Sequence, residues 1–242
     1  MKIPDPTNTS AQDVFSSAVD TGWLQRCALV ALLCLMPAFP VLASDALVHA
    51  AAGGDLARMT KLLDAGAAVN YRDRRGRNAV LAATQGGHVA AARLLVGRGA
   101  DVNAQDDIQD SAFLLAGAEG HTEIVLLALG AGADLRLTNR YGGTALIPAC
   151  HHGHVETVRA LLGSAIDVNH VNRLGWTALL EAVILGDGGP RYVEIVRLLL
   201  AHGAAPTLAD REGVTALTHA ERRGQHALAA LLRRASGTAA GR

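Results

Sequence analysis

Asn139 to Val171 reads NRYGGTALIPACHHGHVETVRALLGSAIDVNHV, and every other part of the chain can be measured against it. It contains a Gly turn, a hydroxyl at Thr144 suited to cap a helix, an apolar face from Ala145 to Cys150, and a Gly-His break. A second apolar helix ending at Leu161-Leu162 and an Asp-Val-Asn exit follow. The same order of residue types returns 33 residues away in either direction, and a fixed period of this length predicts a solenoid of units that bury their faces on one another.

The columns support this one by one. Asp45, Asn78, Ser111, Thr144, Thr177 and Thr215 each stand where a first helix should open, and each carries an oxygen able to accept from a free N–H of the first turn. Five residues on comes Ala: Ala50, Ala83, Ala116, Ala149, Ala182 and Ala220, small enough to let two helices approach. Second helices close on apolar pairs such as Leu62-Leu63, Leu95-Val96 and Leu199-Leu200. Gly66, Gly99, Gly132 and Gly203 follow, suited to a left-handed cap, where the fourth unit has Ala165 instead.

The segments G-G-T-A-L-I-P-A (142–149), G-W-T-A-L-L-E-A (175–182) and G-V-T-A-L-T-H-A (213–220), with G-A-D-V-N at 99–103, resemble the ankyrin repeat. The resemblance spans roughly Asp45 to Ala235 in six units. It implies an all-α ankyrin-repeat solenoid of helix-turn-helix units joined by β-turn fingers, curved so that one face is concave. The chain departs from the family's Thr-Pro-Leu-His by having Ala at Ala79, Ala112, Ala145, Ala178 and Ala216, a strong helix former in place of Pro.

Half the residues are hydrophobic but only 3% are aromatic, which predicts a core of Ala, Leu and Val. Charge balances at 22 basic against 22 acidic residues, so no net field exists to hold nucleic acid or an anionic membrane surface. Residues 1–43 read as a leader. Arg26 precedes the apolar run Cys27 to Leu35, then come Met36-Pro-Ala-Phe-Pro and small residues up to a cut near Ala43. That order predicts a periplasmic or secreted array over 44–235 with no stable membrane insertion after the cut, and a disordered tail over 236–242. The stretch before Arg26 is long for a leader, which suggests a true start at or after Val19. Cys150 is then alone in the mature chain and reads as an inert core thiol.

Irregular units carry further expectations. Gln109 replaces a finger Gly and Phe113 enters a core column. Gly186-Asp-Gly-Gly-Pro190 is an insertion expected to form a protruding turn and no extra helix. Pro148 should loosen the first helix of the fourth unit, because its missing N–H removes the bond to the Thr144 carbonyl. His88, His121 and His154, one period apart, should hold the turns between helices.

No G-x-S-x-G, H-E-x-x-H or phosphate loop occurs, so no enzyme activity and no cofactor is expected. The resemblance implies a non-catalytic, monomeric scaffold that binds a partner protein through its concave face and fingertips. Arg140, Tyr141, Arg173 and Trp176 on the fingers, and His151, His152, Ile184 and Leu185 at the variable ends of first helices, form the expected contact patch; Arg, Tyr and Trp are frequent binding hot spots. Trp176 could instead pack against Arg173 or a neighbouring finger. A second reading makes His151, His152 and the 186–190 loop a small-molecule or metal site, although zinc usually takes separated pairs of ligands. A third keeps the scaffold but places it in a cytoplasm or a host cell.

Overall fold

Four of the six expected caps close their helices in the same way. In the computed structural model, the side chains of Asn78, Ser111, Thr177 and Thr215 accept from the backbone N–H three residues on, at 3.0, 3.2, 3.2 and 3.3 Å. From Pro40 on, the described residues fall in one compact unit. The structure describes residues 38–239, so the apolar run of the expected leader lies outside the described residues.

Twelve helices follow in order among those residues: α1 Ala38–Ala52, α2 Leu56–Asp64, α3 Ala79–Gln85, α4 Val89–Gly97, α5 Ala112–Glu119 and α6 Thr122–Gly130. Then come α7 Leu146–His151, α8 Val155–Leu162, α9 Ala178–Ile184, α10 Pro190–Ala201, α11 Ala216–Arg222 and α12 His226–Ala239. None of them is long and apolar enough to cross a membrane. Odd-numbered helices from α3 on pack on one another in one row, and even-numbered helices from α2 pack in a second. All six column alanines are buried between these helices. The result is an all-α ankyrin-type stack of about six units, as the period predicts.

Two caps depart from expectation. Asp45 opens nothing: α1 begins at Ala38 and Asp45 lies inside it, 3.5 Å from His49 one turn on. At Thr144 the cause is Pro148. Without a proline N–H, the Thr144 carbonyl takes the N–H of Ile147 at 3.2 Å, which is the amide its hydroxyl would otherwise have received. Helix α7 starts at Leu146 with Ala145 as its cap, and the buried Thr144 Oγ1 is left without a hydrogen-bond partner. An unmet buried hydroxyl costs about 1–3 kcal/mol, so the fourth unit is locally destabilised at the opening of α7.

The fingers are built on a column that the sequence reading passed over. Asp73, Asp106, Asn139, Asn172 and Asp210 each accept two backbone N–H bonds through Oδ1, from the residues two and four positions on. This Asx turn demands a left-handed residue, which is Gly76, Gly142, Gly175 and Gly213 in four fingers and Gln109, at φ 64°, in the other. A non-Gly residue there costs about 1–2 kcal/mol, so Gln109→Gly is expected to raise stability by about 1 kcal/mol after the added chain entropy is counted. Urea denaturation midpoints check it; no gain would mean that Gln109 holds its left-handed conformation without strain.

Neighbouring units are stitched together by side chains at the same period. Asn70, Asn103 and Asn169 each donate to a glycine carbonyl of the next unit, Gly99, Gly132 or Gly203, at 3.0–3.1 Å. Each accepts in return from Asp101, Asp134 or Ala205 N–H at 2.7–2.8 Å. His88 and His154 place Nε2 3.1 Å from the carbonyls of Ala52 and Ala118 in the preceding unit, the turn-holding role expected of that column. In the fourth unit Ala165 takes no left-handed cap; Ser164 bonds the Leu161 carbonyl through both its N–H and its hydroxyl.

Two expectations about length need correction. Part of the 186–190 insertion does extend a helix: the turn ends at Gly189, and Pro190 sits in the first turn of a twelve-residue α10, where its missing N–H costs nothing. The extra turn carries Tyr192, which is buried and donates its hydroxyl to the His151 carbonyl at 2.8 Å. At the other end, residues 236–239 of the expected disordered tail continue α12 as far as Ala239.

Candidate functional site

The ends of α5, α7 and α9 and the fingers that follow the third and fourth units enclose a cavity of about 380 Å³ on the concave side. Its walls are Leu115, Ile147, Pro148, Leu174 and Leu185, and its polar groups include Asp110, Glu119, Arg140, Tyr141, His151, His152, Asn172 and Glu181. Tyr141 is 55% and Leu185 42% exposed, so two large apolar surfaces stand open beside it. Exposed apolar surface in a preformed concavity, with a few convergent polar groups, is what a binding site requires.

The contact patch expected from sequence is divided by this geometry. Arg140, Tyr141, His151, His152 and Leu185 line the cavity together. Trp176 and Ile184 are partly buried and packed against the core, outside the cavity lining. Arg173 ties fingers together: its N–H donates to the Tyr141 carbonyl at 2.9 Å and its Nη1 to the Arg140 carbonyl at 2.8 Å. Its stem also covers Gly142, where a Cβ would lie 2.8 Å from Arg173 Cγ. Arg211 donates in the same way to the Arg173 carbonyl. The fingertip arginines at 173 and 211 therefore serve as rungs between fingers.

The group that sequence reading missed is Glu181. It is buried, it accepts from Asn172 Nδ2 through Oε1 at 2.9 Å, and its Oε2 lies 3.6 Å from His151 Nδ1. Burial pushes its carboxyl up to about 7, against the opposing bond from Asn172. A signal was present: the fourth residue after each helix opening is Ala82, Leu115 and Pro148 in units two to four, and a carboxylate in that column stands out.

His151 stacks on His152 with ring centroids 4.4 Å apart, and burial together with that neighbour lowers its pKa. Arg140 lies over the Tyr141 ring at 5.0 Å and reaches Asp110 at 3.4 Å. Burial raises the Asp110 carboxyl although Arg140 opposes it. Cys150 is wholly buried, and burial followed by the Glu181 charge pushes its thiol well up, so it offers no nucleophile.

The site can thus hold a proton on the Glu181 carboxyl, or offer a carboxylate to a cation, beside apolar walls. Among the described residues no group of three His, Cys, Asp or Glu is placed to hold a metal ion. The stacked rings of His151 and His152 do not converge on a point. None of residues 186–190 lines the cavity, and Gly186 is engaged through its carbonyl by Arg223 and Gln225.

Comparison with known proteins agrees with the stack. A family model described as ankyrin repeats in three copies matches residues 27–106 and 113–210. A crystallised ankyrin repeat domain from Acinetobacter baumannii superposes with a TM-score of 0.76 at 51% identity, covering 78% of this chain and 97% of that one. The ankyrin repeat protein EF0377 superposes with the same TM-score at 38% identity and the same coverage. YahD, an ankyrin repeat protein of Escherichia coli, is 50% identical over 52 residues, which span 22% of this chain and 26% of YahD. The chain belongs to the ankyrin-repeat family, whose members are typically non-catalytic and generally bind proteins.

Proposed function

We propose that this protein is an exported, non-catalytic ankyrin scaffold that captures a segment of a partner protein in the groove between its fingers and first helices. The carrying observation is the cavity of about 380 Å³ between open Tyr141 and Leu185 surfaces, held by rungs that already exist in the free protein. Because the Asn, His and Arg bonds fix neighbouring units before anything binds, little ordering entropy remains to be lost on association.

Periplasmic location is supported by the order of residues 26–43, a charge, an apolar run, a proline break and small residues. A cut after Ala43 would leave Ser44 as the first residue. Its hydroxyl accepts from Ala68 N–H at 2.9 Å, so the first hairpin keeps that tie.

Affinity capture from periplasmic extract with wild type, Tyr141→Ala and the remote control Leu126→Ala tests the function. The Tyr141 variant is expected to bind about tenfold or more weakly, as aromatic hot spots do, with an unchanged melting temperature because the ring is more than half exposed. The Leu126 variant should match wild type. Equal capture by all three would refute the groove. Cell fractionation with N-terminal sequencing tests the location, and an intact leader on cytoplasmic protein would refute export.

A further inference from the structure

We propose that the segment received by this groove carries a lysine or arginine side chain whose charged end meets Glu181 at the cavity floor. This deepens the scaffold reading and rests on it. Ala82, Leu115 and Pro148 hold the equivalent places in units two to four, and in the sixth His219 bonds the finger residue Asp210 as Glu181 bonds Asn172, so the stack accounts for one oxygen of Glu181 and not for the other. Burying a carboxylate is costly unless it is paired. Asn172 satisfies Oε1, but Oε2 has only His151 at 3.6 Å, beyond hydrogen-bond distance.

The surroundings select for positive charge. Asp110, Glu119 and Glu181 line the cavity against one arginine, Arg140, which is already paired with Asp110. The apolar walls, with Leu174 and Leu185 about half exposed, match the methylene stem that a basic side chain lays down while its end finds a counter-ion. A carboxyl pushed up to about 7 by burial is one whose ionised form lacks a cation, and a bound one would draw it back down.

The consequence is an affinity that rises with pH. Groups facing Glu181 include Cys150, His151 and His152 on α7, Arg140 and Tyr141 on the finger opened by Asn139, and Asn172 on the next finger. Asp110 and Glu119 stand on the opposite rim, and His219 of the next unit is held by Asp210 at 2.6 Å. Of these, His151 acts in the same direction as Glu181, because its protonation at lower pH repels a cation. Ionisation of a carboxyl titrating near 7 changes binding by about tenfold between pH 6 and pH 8.

The test is selection of displayed random 12-residue peptides on the full-length protein at pH 8. Selected peptides are then measured on wild type, Tyr141→Ala and Glu181→Gln, each peptide also with its basic residue replaced by norleucine. Peptides lost on Tyr141→Ala are expected to share a basic position. Norleucine at that position should weaken binding to wild type tenfold or more and leave the weaker binding to Glu181→Gln nearly unchanged, and the pH dependence in that variant should shrink to the part that His151 contributes. The Gln side chain can keep the Asn172 bond, and a melting curve confirms its fold. Groove peptides without a basic position, or indifferent to Glu181→Gln, overturn this proposal and leave the scaffold reading standing. A selection yielding no peptide sensitive to Tyr141→Ala overturns both.

Discussion

Replacing Phe113 with Ala is expected to destabilise the protein by about 3–5 kcal/mol, the largest single loss available in this core. Phe113 heads the large, fully buried side chains, in a column that holds Leu47, Val80, Leu146 and Leu179 in other units. One turn on, a Cβ at Gly117 would lie 2.8 Å from the Ala145 carbonyl oxygen, so α5 already touches the opening of α7 and cannot close further on a void. The cavity would therefore persist. In a stack whose stability comes from each unit and its two neighbours, a hole in the third of six weakens coupling on both sides, and urea unfolding should broaden as well as shift. A loss below about 1 kcal/mol would mean that the neighbouring helices collapse onto the hole.

The second large effect has the opposite sign. Glu181→Gln is expected to be more stable than wild type by about 2 kcal/mol at pH 8 and equal to it near pH 4. In the unfolded chain the carboxyl ionises near ~4.3, whereas in the fold burial holds it to about 7. Between those values the native state retains a proton that the unfolded state has released, so wild-type stability falls as pH rises through that window and is level above it. The span is worth roughly 4 kcal/mol, reduced to about 2 kcal/mol by solvent in the open cavity. His151, lowered by burial and by His152, works the other way in each raw curve, so the difference between the two proteins is the quantity to follow across pH 4–8. A difference that does not change with pH would show Glu181 ionised throughout.

The fold was legible because its determinants repeat. The caps at Asn78, Ser111, Thr177 and Thr215 and the six buried alanines fall at the expected positions, and Gln109 occupies the left-handed place left by a glycine. Asp45 failed as a cap because α1 already begins at Ala38 and runs through it, which the column logic does not see. The insertion failed as a pure turn because Pro190 also suits a helix opening. The site was legible only in part. Arg140, Tyr141, His151, His152 and Leu185 were reachable from their variable positions, but Trp176 and Arg173 have alternative partners within the stack that composition does not reveal. Glu181 was overlooked because a lone carboxylate on a helix usually faces water, and only the stacking of α7 and α11 against α9 buries it.

The receiving surface itself is most directly tested by hydrogen–deuterium exchange of the full-length protein with and without a saturating peptide selected on it. Slower exchange confined to 140–152 and 172–185 is the predicted result. Protection on the outer helices α6 and α8, or none in the groove, would contradict it.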